Sequence, residues 1–358
     1  MKSAQVDPLF WRGKKVFLTG HTGFKGGWLC LWLASMGANV TGYALPPKTT
    51  PNLFNVLDID GLITKSHLAD IRNLDVLKNA MRVANPDVII HMAAQPLVRH
   101  SYVNPVETYE TNVMGTVHVL EAARSIDAVR ATVVVTTDKC YENKDWVWGY
   151  RETDPLGGYD PYSNSKGCAE LVTSAYRQSF FQNSSSLNKV ASVRAGNVIG
   201  GGDWSEDRLI PDAIKSFEAG RALKLRNPLA TRPWQHVLEP LSGYLILTQA
   251  LFNEGAAFAS AWNFGPRDED NRSVENVVDL LIAQWDSKVS WEAEALEQPH
   301  EANLLKLDCS KAFSHLGWAP RWNIEIAIQR IIEWHKAYRS NKDMRELSLA
   351  QIKQYMNV

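Results

Sequence analysis

The chain has 358 residues, of which 45% are hydrophobic and 22% charged, close to the average of globular domains. This composition excludes a disordered, collagen-like or coiled-coil chain, and the length suits one large α/β unit or two lobes. Lys and Arg total 38 and Asp and Glu 39, so the formal net charge is −1. Nucleic acid and acidic membranes are therefore not expected as partners, since both are normally met by an excess of basic residues.

The expected compartment follows from features that the sequence lacks. No apolar stretch approaches the ~20 residues of a membrane helix, and Met1–Lys15 has no apolar core of the kind found in signal peptides. The four cysteines, Cys30, Cys140, Cys168 and Cys309, lie far apart without a C-x-x-C pair. These observations predict a cytoplasmic protein with reduced thiols, no membrane association and no metal.

Strand-like and helix-like segments alternate through the first half of the chain. Val16–Thr19 is a short β-branched run, Trp28–Met36 has helical apolar spacing, and Asn39–Tyr43 is typical of a second strand. Continuous apolar runs recur at Val88–Ala94 and Thr132–Thr136, as in strands that are buried on both faces. The pattern predicts an α/β fold with a doubly wound parallel sheet of the Rossmann type.

The pattern changes beyond about Val190. Short strands and Pro-punctuated loops follow, with helices predicted at Leu238–Phe252 and Ser273–Trp285. We therefore expect a Rossmann-type domain over residues 1–190. Residues 191–358 are expected to form mainly a smaller α/β lobe, partly interwoven with the first domain.

Three glycines, Gly20, Gly23 and Gly26, follow the first predicted strand and open the first long helix. Glycine at these positions permits a tight turn and lets backbone N–H groups approach a pyrophosphate at the positive end of the helix dipole. The strand–turn–helix context favours a dinucleotide site. The alternative is a glycine-rich turn without a ligand.

The choice of dinucleotide depends on the end of the second strand. A carboxylate there usually holds the adenosine ribose, but Val40–Pro46 contains neither a carboxylate nor the arginine typical of NADP sites, although Lys48 lies nearby. NAD is favoured. Asp70, after the third strand, is a candidate to accept from the adenine amino group, and its alternative role is a helix N-cap.

Tyr162 and Lys166 are spaced i and i+4 on a helix predicted to begin after Pro161. A neighbouring ammonium favours the phenolate, so we expect Lys166 to lower the pKa of Tyr162 and make it a usable base. Thr136–Lys139 comes at the carboxyl end of a buried strand, where open α/β sheets bind ligands. The alternative is an exposed Tyr/Lys pair of no chemical consequence.

Taken together, the glycine loop, His91–Gln95, Asn112, Thr137 and the Tyr162/Lys166 pair resemble extended short-chain dehydrogenases/reductases that modify nucleotide sugars. The resemblance covers roughly Phe10 to Trp334. Thr137-Asp138 resembles the 4,6-dehydratases of that family. Lys139 in the next position, where thymidine-sugar enzymes carry glutamate, resembles the branch that acts on CDP-glucose. Further strings similar to that branch are Gly42–Pro46, Gly196–Trp204 and Arg232–Pro240.

The resemblance implies a role for each catalytic candidate. Tyr162 removes the proton of the sugar 4-hydroxyl, Thr137 hydrogen-bonds the same oxygen, and Lys166 holds the nicotinamide ribose. Asp138 is the expected acid at the 6-hydroxyl and Lys139 the expected base at carbon 5. An ordinary ion pair between Lys139 and Asp138 remains the alternative.

The resemblance also implies that the first domain binds NAD and the second lobe CDP-D-glucose. The expected NAD contacts are Gly20, Thr22, Gly23, Phe24, Gly26, Asp70, Ile71, Ala93, Ala94, Thr136, Tyr162 and Lys166. The expected substrate contacts are Gln95, Asn197, Arg208, Arg232 and Trp234, with Arg232 the leading cation for the pyrophosphate. Related enzymes often add a second arginine near residue 300. Here His300 or Lys306 is the candidate substitute.

Two other functions remain open at this point. A nucleotide-sugar 4-epimerase would share Thr137, Tyr162 and Lys166 but has no use for Asp138 and Lys139. A non-catalytic NAD-binding scaffold of the same fold is the third reading. By resemblance alone, we expect a homodimer or homotetramer.

Overall fold

A seven-stranded parallel sheet forms the centre of the molecule. The computed structural model describes residues 4–182, 186–285, 288–294 and 302–357. The strands in these ranges are β1 (Lys15–Thr19), β2 (Asn39–Ala44), β3 (Lys65–Leu68), β4 (Val88–His91), β5 (Ala131–Val135), β6 (Lys189–Ala195), β7 (Asn197–Ile199), β8 (Leu223–Leu225), β9 (Thr231–His236), β10 (Ala261–Phe264), β11 (Asn271–Ser273) and β12 (Trp291–Ala293).

The order of the central sheet is β3-β2-β1-β4-β5-β6-β10, with every pair parallel. Thr19 at the end of β1 lies opposite Tyr43 of β2 and His91 of β4. Because the chain winds outward in both directions from β1, a crevice opens beyond the carboxyl ends of β1 and β4, where such sheets bind ligands. The predicted doubly wound parallel sheet is confirmed.

Helices cover both faces of this sheet and also pack in the smaller lobe described below. They are α1 (Pro8–Trp11), α2 (Phe24–Ser35), α3 (Leu53–Val56), α4 (Ile59–Leu62), α5 (Leu74–Ala84), α6 (Val98–Val103), α7 (Pro105–Tyr109), α8 (Gly115–Ala123), α9 (Pro161–Tyr176), α10 (Leu209–Glu218), α11 (Leu238–Glu254), α12 (Val274–Gln284), α13 (Ile324–Arg339) and α14 (Met344–Met356). None of these helices combines the length and the apolarity needed to cross a membrane in the part of the chain that the structure describes.

The two faces of the sheet have separate cores because alternate strand residues point to opposite sides. Leu18 and Ile90 belong to the core beneath α2 and α11, together with Trp28. Phe17 and Ile89, their neighbours in sequence, belong to the core beneath α5 and α8. Strands buried on both faces explain the continuous apolar runs in the sequence.

A smaller lobe stands at the carboxyl edge of the sheet. It contains the sheets β11-β9-β7 and β12-β8, packed with α10, α12 and α13 around a core that includes Ile199, Ile214, Val278 and Ile328. The chain beyond residue 190 also contributes β10 and α11 to the central layer. The division into 1–190 and 191–358 stays a prediction, and its boundary falls inside β6.

Candidate active site

A cavity of about 1730 Å³ is lined by the loops at the carboxyl edge of the central sheet and by the smaller lobe. Its wall includes the catalytic, cofactor and substrate residues predicted from the sequence except Asp138, which is fully buried, and the two alternative pyrophosphate cations, which are treated below. The sheet side contributes Gly20, Thr22, Gly23, Phe24, Gly26, Asp70, Ile71, Ala93, Ala94, Gln95, Thr136, Thr137, Lys139, Tyr162 and Lys166. The lobe side contributes Asn197, Arg208, Arg232 and Trp234. The fold therefore brings the two predicted groups to one cavity.

The glycine loop between β1 and α2 is shaped for close approach by a ligand. Gly20 has φ +82°, and a Cβ at that position would lie 2.8 Å from the backbone nitrogen of Ala93. A Cβ at Gly26 would run into the carbonyl oxygen of Gly20. Gly23 is the N-cap and offers no side chain to the first N–H groups of α2, which remain available to an anion. This cradle fits the pyrophosphate of a dinucleotide such as NAD.

Asp70 lines the cavity beside Ile71. Its carboxylate accepts hydrogen bonds from the backbone N–H of Arg72 at 2.8 Å and from Nε and Nη2 of the same side chain at 2.9 and 2.6 Å. These hydrogen bonds hold the pKa of Asp70 below its ordinary value. Asp70 is not a helix cap: α5 is capped by Asn73, which accepts from the N–H of Val76. Its role toward adenine stays a prediction.

Gln95 lies where the loop after β4 reaches the cavity. Its backbone N–H donates to Asn112 Oδ1 at 2.8 Å, and Asn112 belongs to a π-helical turn between α7 and α8. The side-chain amide of Gln95 bonds within the same region, donating to Thr108 Oγ1 at 2.9 Å and accepting from the N–H of Leu97 at 2.6 Å. Both polar ends of Gln95 are thus engaged by the protein, and its predicted contact with substrate stays untested.

Tyr162 and Lys166 lie one turn apart at the start of α9. Asp160 caps this helix by accepting from the N–H of Ser163 at 2.9 Å. Both side chains are buried, with 8% of Tyr162 and 6% of Lys166 exposed, and both reach the cavity. Lys166 Nζ donates to the carbonyl oxygen of Val135 at 3.3 Å. The pair is therefore anchored against the end of β5 and is not an exposed surface pair.

The pKa values of this pair are set by burial. Burial raises the pKa of Tyr162 to about 12, while a hydrogen bond from Thr137 and the charge of Arg208 act in the lowering direction. Burial lowers the pKa of Lys166 to about 8. The pKa of Tyr162 therefore lies above its ordinary value, because desolvation of the phenolate outweighs attraction by nearby cations. The lowering effect expected of Lys166 stays a prediction.

Thr137, Asp138 and Lys139 follow β5 directly. Thr137 Oγ1 donates to Asp138 Oδ1 at 2.9 Å. Lys139 Nζ lies 3.7 Å from the same carboxylate oxygen and 3.4 Å from Asn197 Oδ1. Within the described part of the chain, Asp138 Oδ2 has no hydrogen-bond partner, although it is buried. Lys139 thus forms the ion pair with Asp138 that was the alternative expectation, and it also lines the cavity.

Glu170 and Arg194 form a network that the sequence analysis missed. Glu170 lies one turn beyond Lys166 and accepts hydrogen bonds from Thr136 Oγ1 at 2.5 Å, Ser192 Oγ at 2.7 Å and Arg194 Nη2 at 2.9 Å. The sequence shows that Glu170 is spaced i+4 from Lys166, and this spacing could have indicated that Glu170 belongs to the same helix face. Nothing in the sequence indicated that β6 would place Arg194 against that helix face.

Lys25, in the glycine loop, was also missed. It lines the cavity, and its Nζ donates to the hydroxyl of Tyr244 at 3.2 Å. The pKa of Lys25 is lowered to about 7, mainly by burial and also by the charges of Lys166 and Arg208, while the charge of Asp138 acts in the raising direction. An apolar residue would be expected at this buried helix start. The lysine found there in the sequence could therefore have indicated a functional residue.

The lobe presents the predicted substrate residues with most of their polar atoms supported. Arg208 Nη1 pairs with Asp203 Oδ2 at 2.7 Å. Arg232 is 3% exposed and donates to a backbone carbonyl of its own strand at 3.0 Å. The indole of Trp234 donates to a backbone carbonyl of β11 at 2.9 Å and packs in the lobe core. Trp234 thus has a structural role in addition to its place in the cavity wall.

The second pyrophosphate cation is not supplied by Lys306 in this structure. Lys306 Nζ pairs with Asp268 Oδ1 at 3.0 Å and does not line the cavity. The other candidate, His300, lies outside the described residues.

A family model described as GDP-mannose 4,6 dehydratase matches residues 17–331. The chain belongs to this family. A CDP-glucose 4,6-dehydratase of Salmonella typhimurium is 55% identical over 355 residues, covering 98% of this chain and 99% of the relative. A probable dTDP-glucose 4,6-dehydratase of Sinorhizobium fredii is 25% identical, covering 90% and 92%. The resemblance to nucleotide-sugar-modifying enzymes is confirmed.

Solved structures of the family's wider fold agree with the architecture. A dTDP-glucose 4,6-dehydratase from Streptomyces venezuelae, solved with NAD and DAU bound, has a TM-score of 0.77 at 22% identity and covers 92% of this chain and 99% of its own. A UDP-glucose 4-epimerase from Thermotoga maritima, solved with UDP-glucose, has a TM-score of 0.76 at 19% identity and covers 90% and 99%. At these identities the likeness concerns the fold.

Proposed function

We propose that the protein is an NAD-dependent CDP-D-glucose 4,6-dehydratase that forms CDP-4-dehydro-6-deoxy-D-glucose and water. The observation that carries the proposal is that Asp138 and Lys139 directly follow Thr137 in one site with Tyr162 and Lys166. The 55% identity with the Salmonella enzyme over nearly the whole of both chains supports CDP-D-glucose as the substrate. A 4-epimerase needs no acid and base after the threonine.

The first half-reaction oxidises carbon 4. Tyr162 accepts the proton of the 4-hydroxyl, and the hydroxyl of Thr137 bonds the same oxygen. Lys166 holds the nicotinamide ribose from its anchored position at the end of β5. The chemistry that NAD supplies when bound is acceptance of a hydride from carbon 4 and its return to carbon 6.

The second half-reaction removes water. A ketone at carbon 4 acidifies the hydrogen on carbon 5, which Lys139 removes as base. Asp138 donates a proton to the 6-hydroxyl as the bond between carbon 6 and oxygen breaks, so water leaves. One acid and one base acting on this two-carbon unit balance the protons, because the proton taken from carbon 5 is matched by the proton given to the leaving oxygen.

The ligand-binding residues follow from the cavity wall. The glycine loop with Gly20, Gly23 and Gly26 binds the NAD pyrophosphate. Arg232, with Arg208 and Asn197, binds the substrate pyrophosphate and sugar from the lobe side. The remaining expected contacts, including Asp70, Gln95 and Trp234, belong to the same proposal.

We also propose a cytoplasmic homo-oligomer. All four cysteines are free thiols, which fits a reducing compartment. Apolar side chains are exposed on the surface formed by α6 to α9, among them Val103, Val106, Met114 and Leu171. Burial of that surface against a second copy would remove it from water, and sedimentation of the purified protein measures the subunit number.

The test uses CDP-glucose and UDP-glucose with the NAD-loaded protein in deuterated water. The expected product carries a 4-ketone, a 6-methyl group and deuterium at carbon 5, and forms faster from CDP-glucose. A hexose inverted at carbon 4 would identify an epimerase instead. Unchanged hexose with both nucleotides would overturn the proposed function.

A further inference from the structure

We propose that Ser101, a buried residue of α6, is a positioning residue for the oxidation of carbon 4, which it serves by holding the backbone of Tyr162. The inference rests on the proposed function, which makes Tyr162 the base of that step. Ser101 is 0% exposed and is not part of the cavity wall, whereas its neighbours His100 and Tyr102 are. Any effect of Ser101 on the reaction must therefore act through another residue.

The start of α9 leaves one backbone donor for another element to bind. The first N–H groups of a helix have no acceptor within the helix. Pro161, the first residue of α9, has no N–H to place. The N–H of Ser163 donates to Asp160 Oδ1 at 2.9 Å. The N–H of Tyr162 donates instead to Ser101 Oγ at 3.1 Å, across 61 positions of sequence.

The Ser101 hydroxyl is oriented to accept this hydrogen bond. A serine hydroxyl has one hydrogen to donate and two lone pairs that accept. The Ser101 hydrogen is donated to the carbonyl oxygen of Val98, one turn earlier in α6, at 2.6 Å. A lone pair of Oγ is therefore left for the N–H of Tyr162. Without the hydroxyl, that buried N–H would lose its partner, which is unfavourable where water is excluded.

The carbonyl side of Tyr162 is held separately. Its carbonyl oxygen accepts from Ser165 Oγ at 2.7 Å, and Ser165 Oγ in turn accepts from Asn112 Nδ2 at 2.9 Å. The backbone of Tyr162 is thus fixed by α6 at its N–H and by the π-helical turn, through Ser165, at its C=O. Because the second attachment does not involve Ser101, we expect loss of the hydroxyl to tilt the start of α9 without unfolding it.

The same helix connects Tyr162 to the lobe that carries the proposed substrate contacts. Arg99, two positions before Ser101, extends to that lobe, where its Nη1 lies 3.1 Å from Asp207 Oδ1. Asp207 directly precedes Arg208, one of the proposed substrate contacts. Through Ser101, α6 therefore sets the position of Tyr162 relative to the part of the lobe that meets the sugar.

The consequence falls on proton and hydride transfer at carbon 4. The 4-hydroxyl proton passes to Tyr162 as the hydride of carbon 4 passes to NAD, which leaves the ketone. Both transfers need close alignment, and a misplacement of about 1 Å can cost about 100-fold in rate. The elimination uses Asp138 and Lys139, which belong to the loop after β5 and not to α9, so we expect it to slow less. Since Ser101 lies outside the cavity wall, KM should not change.

The first experiment compares Ser101→Ala and Ser101→Thr with a matched control, Ser348→Ala. Ser348 is also 0% exposed and also accepts from an N–H, that of the Trp334 indole at 3.0 Å, so its loss removes the same kind of bond on α14. Single turnovers of the NAD-loaded enzymes with CDP-glucose, and with CDP-glucose deuterated at carbon 4, are followed by the absorbance of reduced nicotinamide. Sugars trapped in parallel show the rate of the second half-reaction.

For Ser101→Ala we expect reduction of NAD to be roughly ten- to a hundredfold slower, with an unchanged KM and a larger deuterium isotope effect. Ser101→Thr keeps the hydroxyl and should restore most of the rate. Ser348→Ala should lose similar thermal stability to Ser101→Ala but reduce NAD at the wild-type rate.

Equal rates of NAD reduction in Ser101→Ala and Ser348→Ala would overturn the inference. Equal slowing of both half-reactions, or a raised KM, in Ser101→Ala would also overturn it, because either result would indicate a general loss of the site. If the wild-type protein neither reduces NAD with CDP-glucose nor forms a 6-deoxy sugar, the proposed function fails instead, so the two failures are distinguishable.

A second experiment does not depend on turnover. Hydrogen–deuterium exchange resolved to single residues measures the protection of the Tyr162 N–H in wild type and Ser101→Ala. Removing the hydroxyl should accelerate exchange of this N–H roughly tenfold, the effect of losing one hydrogen bond. The N–H of Ser163, which Asp160 binds, should keep its wild-type rate. Unchanged exchange at Tyr162 would show that Ser101 does not hold it and would contradict the inference.

Discussion

Glu170 of α9 and Arg194 of β6 form an ion pair with 2.9 Å between Oε2 and Nη2, and each side chain is only 3% exposed. The same carboxylate accepts a hydrogen bond from Thr136, which directly follows β5. Glu170 therefore connects α9, the helix that carries Tyr162 and Lys166, both to β6 and to the strand that precedes Thr137. The active site thus depends on a buried charge pair outside the cavity.

Replacing Glu170 by Gln should destabilise the fold strongly. Removing one partner leaves the Arg194 charge buried and uncompensated, at a cost of roughly 3–5 kcal/mol. Urea unfolding measures the change. Glu333→Gln is the matched control, because Glu333 pairs with Arg330 at 2.9 Å on the surface, where such a pair contributes under about 1 kcal/mol. Similar losses in both variants would contradict this role of the pair.

Tyr162→Phe should abolish oxidation at carbon 4 while leaving the fold intact, because the ring remains and only the hydroxyl is lost. General-base loss of this kind lowers the rate by about 10²–10⁴-fold. The measurement is turnover of CDP-glucose alongside thermal unfolding. Tyr159→Phe is the control, since Tyr159 is 79% exposed. Turnover retained in Tyr162→Phe would exclude the assigned base.

Lys139→Met should block the second half-reaction and leave the oxidation of carbon 4 intact. Without a base at carbon 5, the 4-keto-hexose forms but its C5 hydrogen does not exchange with deuterated water. Mass spectrometry of the trapped sugar detects this. Lys78→Met, at a distant surface ion pair with Glu121, is expected to behave as wild type. Deuterium at carbon 5 at the wild-type rate would mean that another group is the base.

Two alanine substitutions in the glycine loop should differ in the protein without NAD. A Cβ at Gly26 collides with the Gly20 carbonyl, so Gly26→Ala should lose roughly 1–3 kcal/mol of folding stability. A Cβ at Gly23 meets that oxygen at 3.5 Å, an ordinary contact. Gly23→Ala should therefore fold normally and show its defect only in NAD affinity, as measured by calorimetry. Equal unfolding midpoints would refute the steric argument.

Acidification from pH 7 to 5 should destabilise the protein through buried neutral histidines. Burial lowers the pKa of both His91 and His236 to about 3. Below the ordinary histidine pKa the unfolded chain binds protons at these two side chains, whereas the folded chain does not. The free energy of unfolding therefore falls as the pH drops. Each contributes roughly 2 kcal/mol over this interval.

Urea midpoints across the interval measure this loss. His91→Asn, although less stable overall, should show a shallower pH slope than wild type. Replacement of the exposed His315 by Asn should keep the full slope. Parallel slopes in wild type and His91→Asn would show that His91 does not contribute.

The sequence predicts the initial βαβ unit, the buried strands and the helices over 238–254 and 274–284 to within a few residues. These elements rest on local patterns: apolar period, glycine after a strand, and proline at a helix start. The sequence also predicts residues that meet at the cavity, because they follow strand ends, and a parallel sheet gathers its strand ends on one edge.

Four residues in or next to the site were not predicted from the sequence: Glu170, Arg194, Lys25 and Tyr244. Their partners are distant in sequence, and each contact depends on which helix packs over which strand. The raised pKa of Tyr162 was not foreseen for the same reason: the spacing to Lys166 is visible in the sequence, but the depth of burial is not.

By itself, then, the order of residue types determined the sheet, its winding and the set of reactive groups at its carboxyl edge, because strand ends and helix starts are encoded within a few neighbouring residues. Only the packed structure decided which charges are desolvated and which are paired. Those energies depend on distance and dielectric between segments such as α9 and β6, which meet only when the chain has folded.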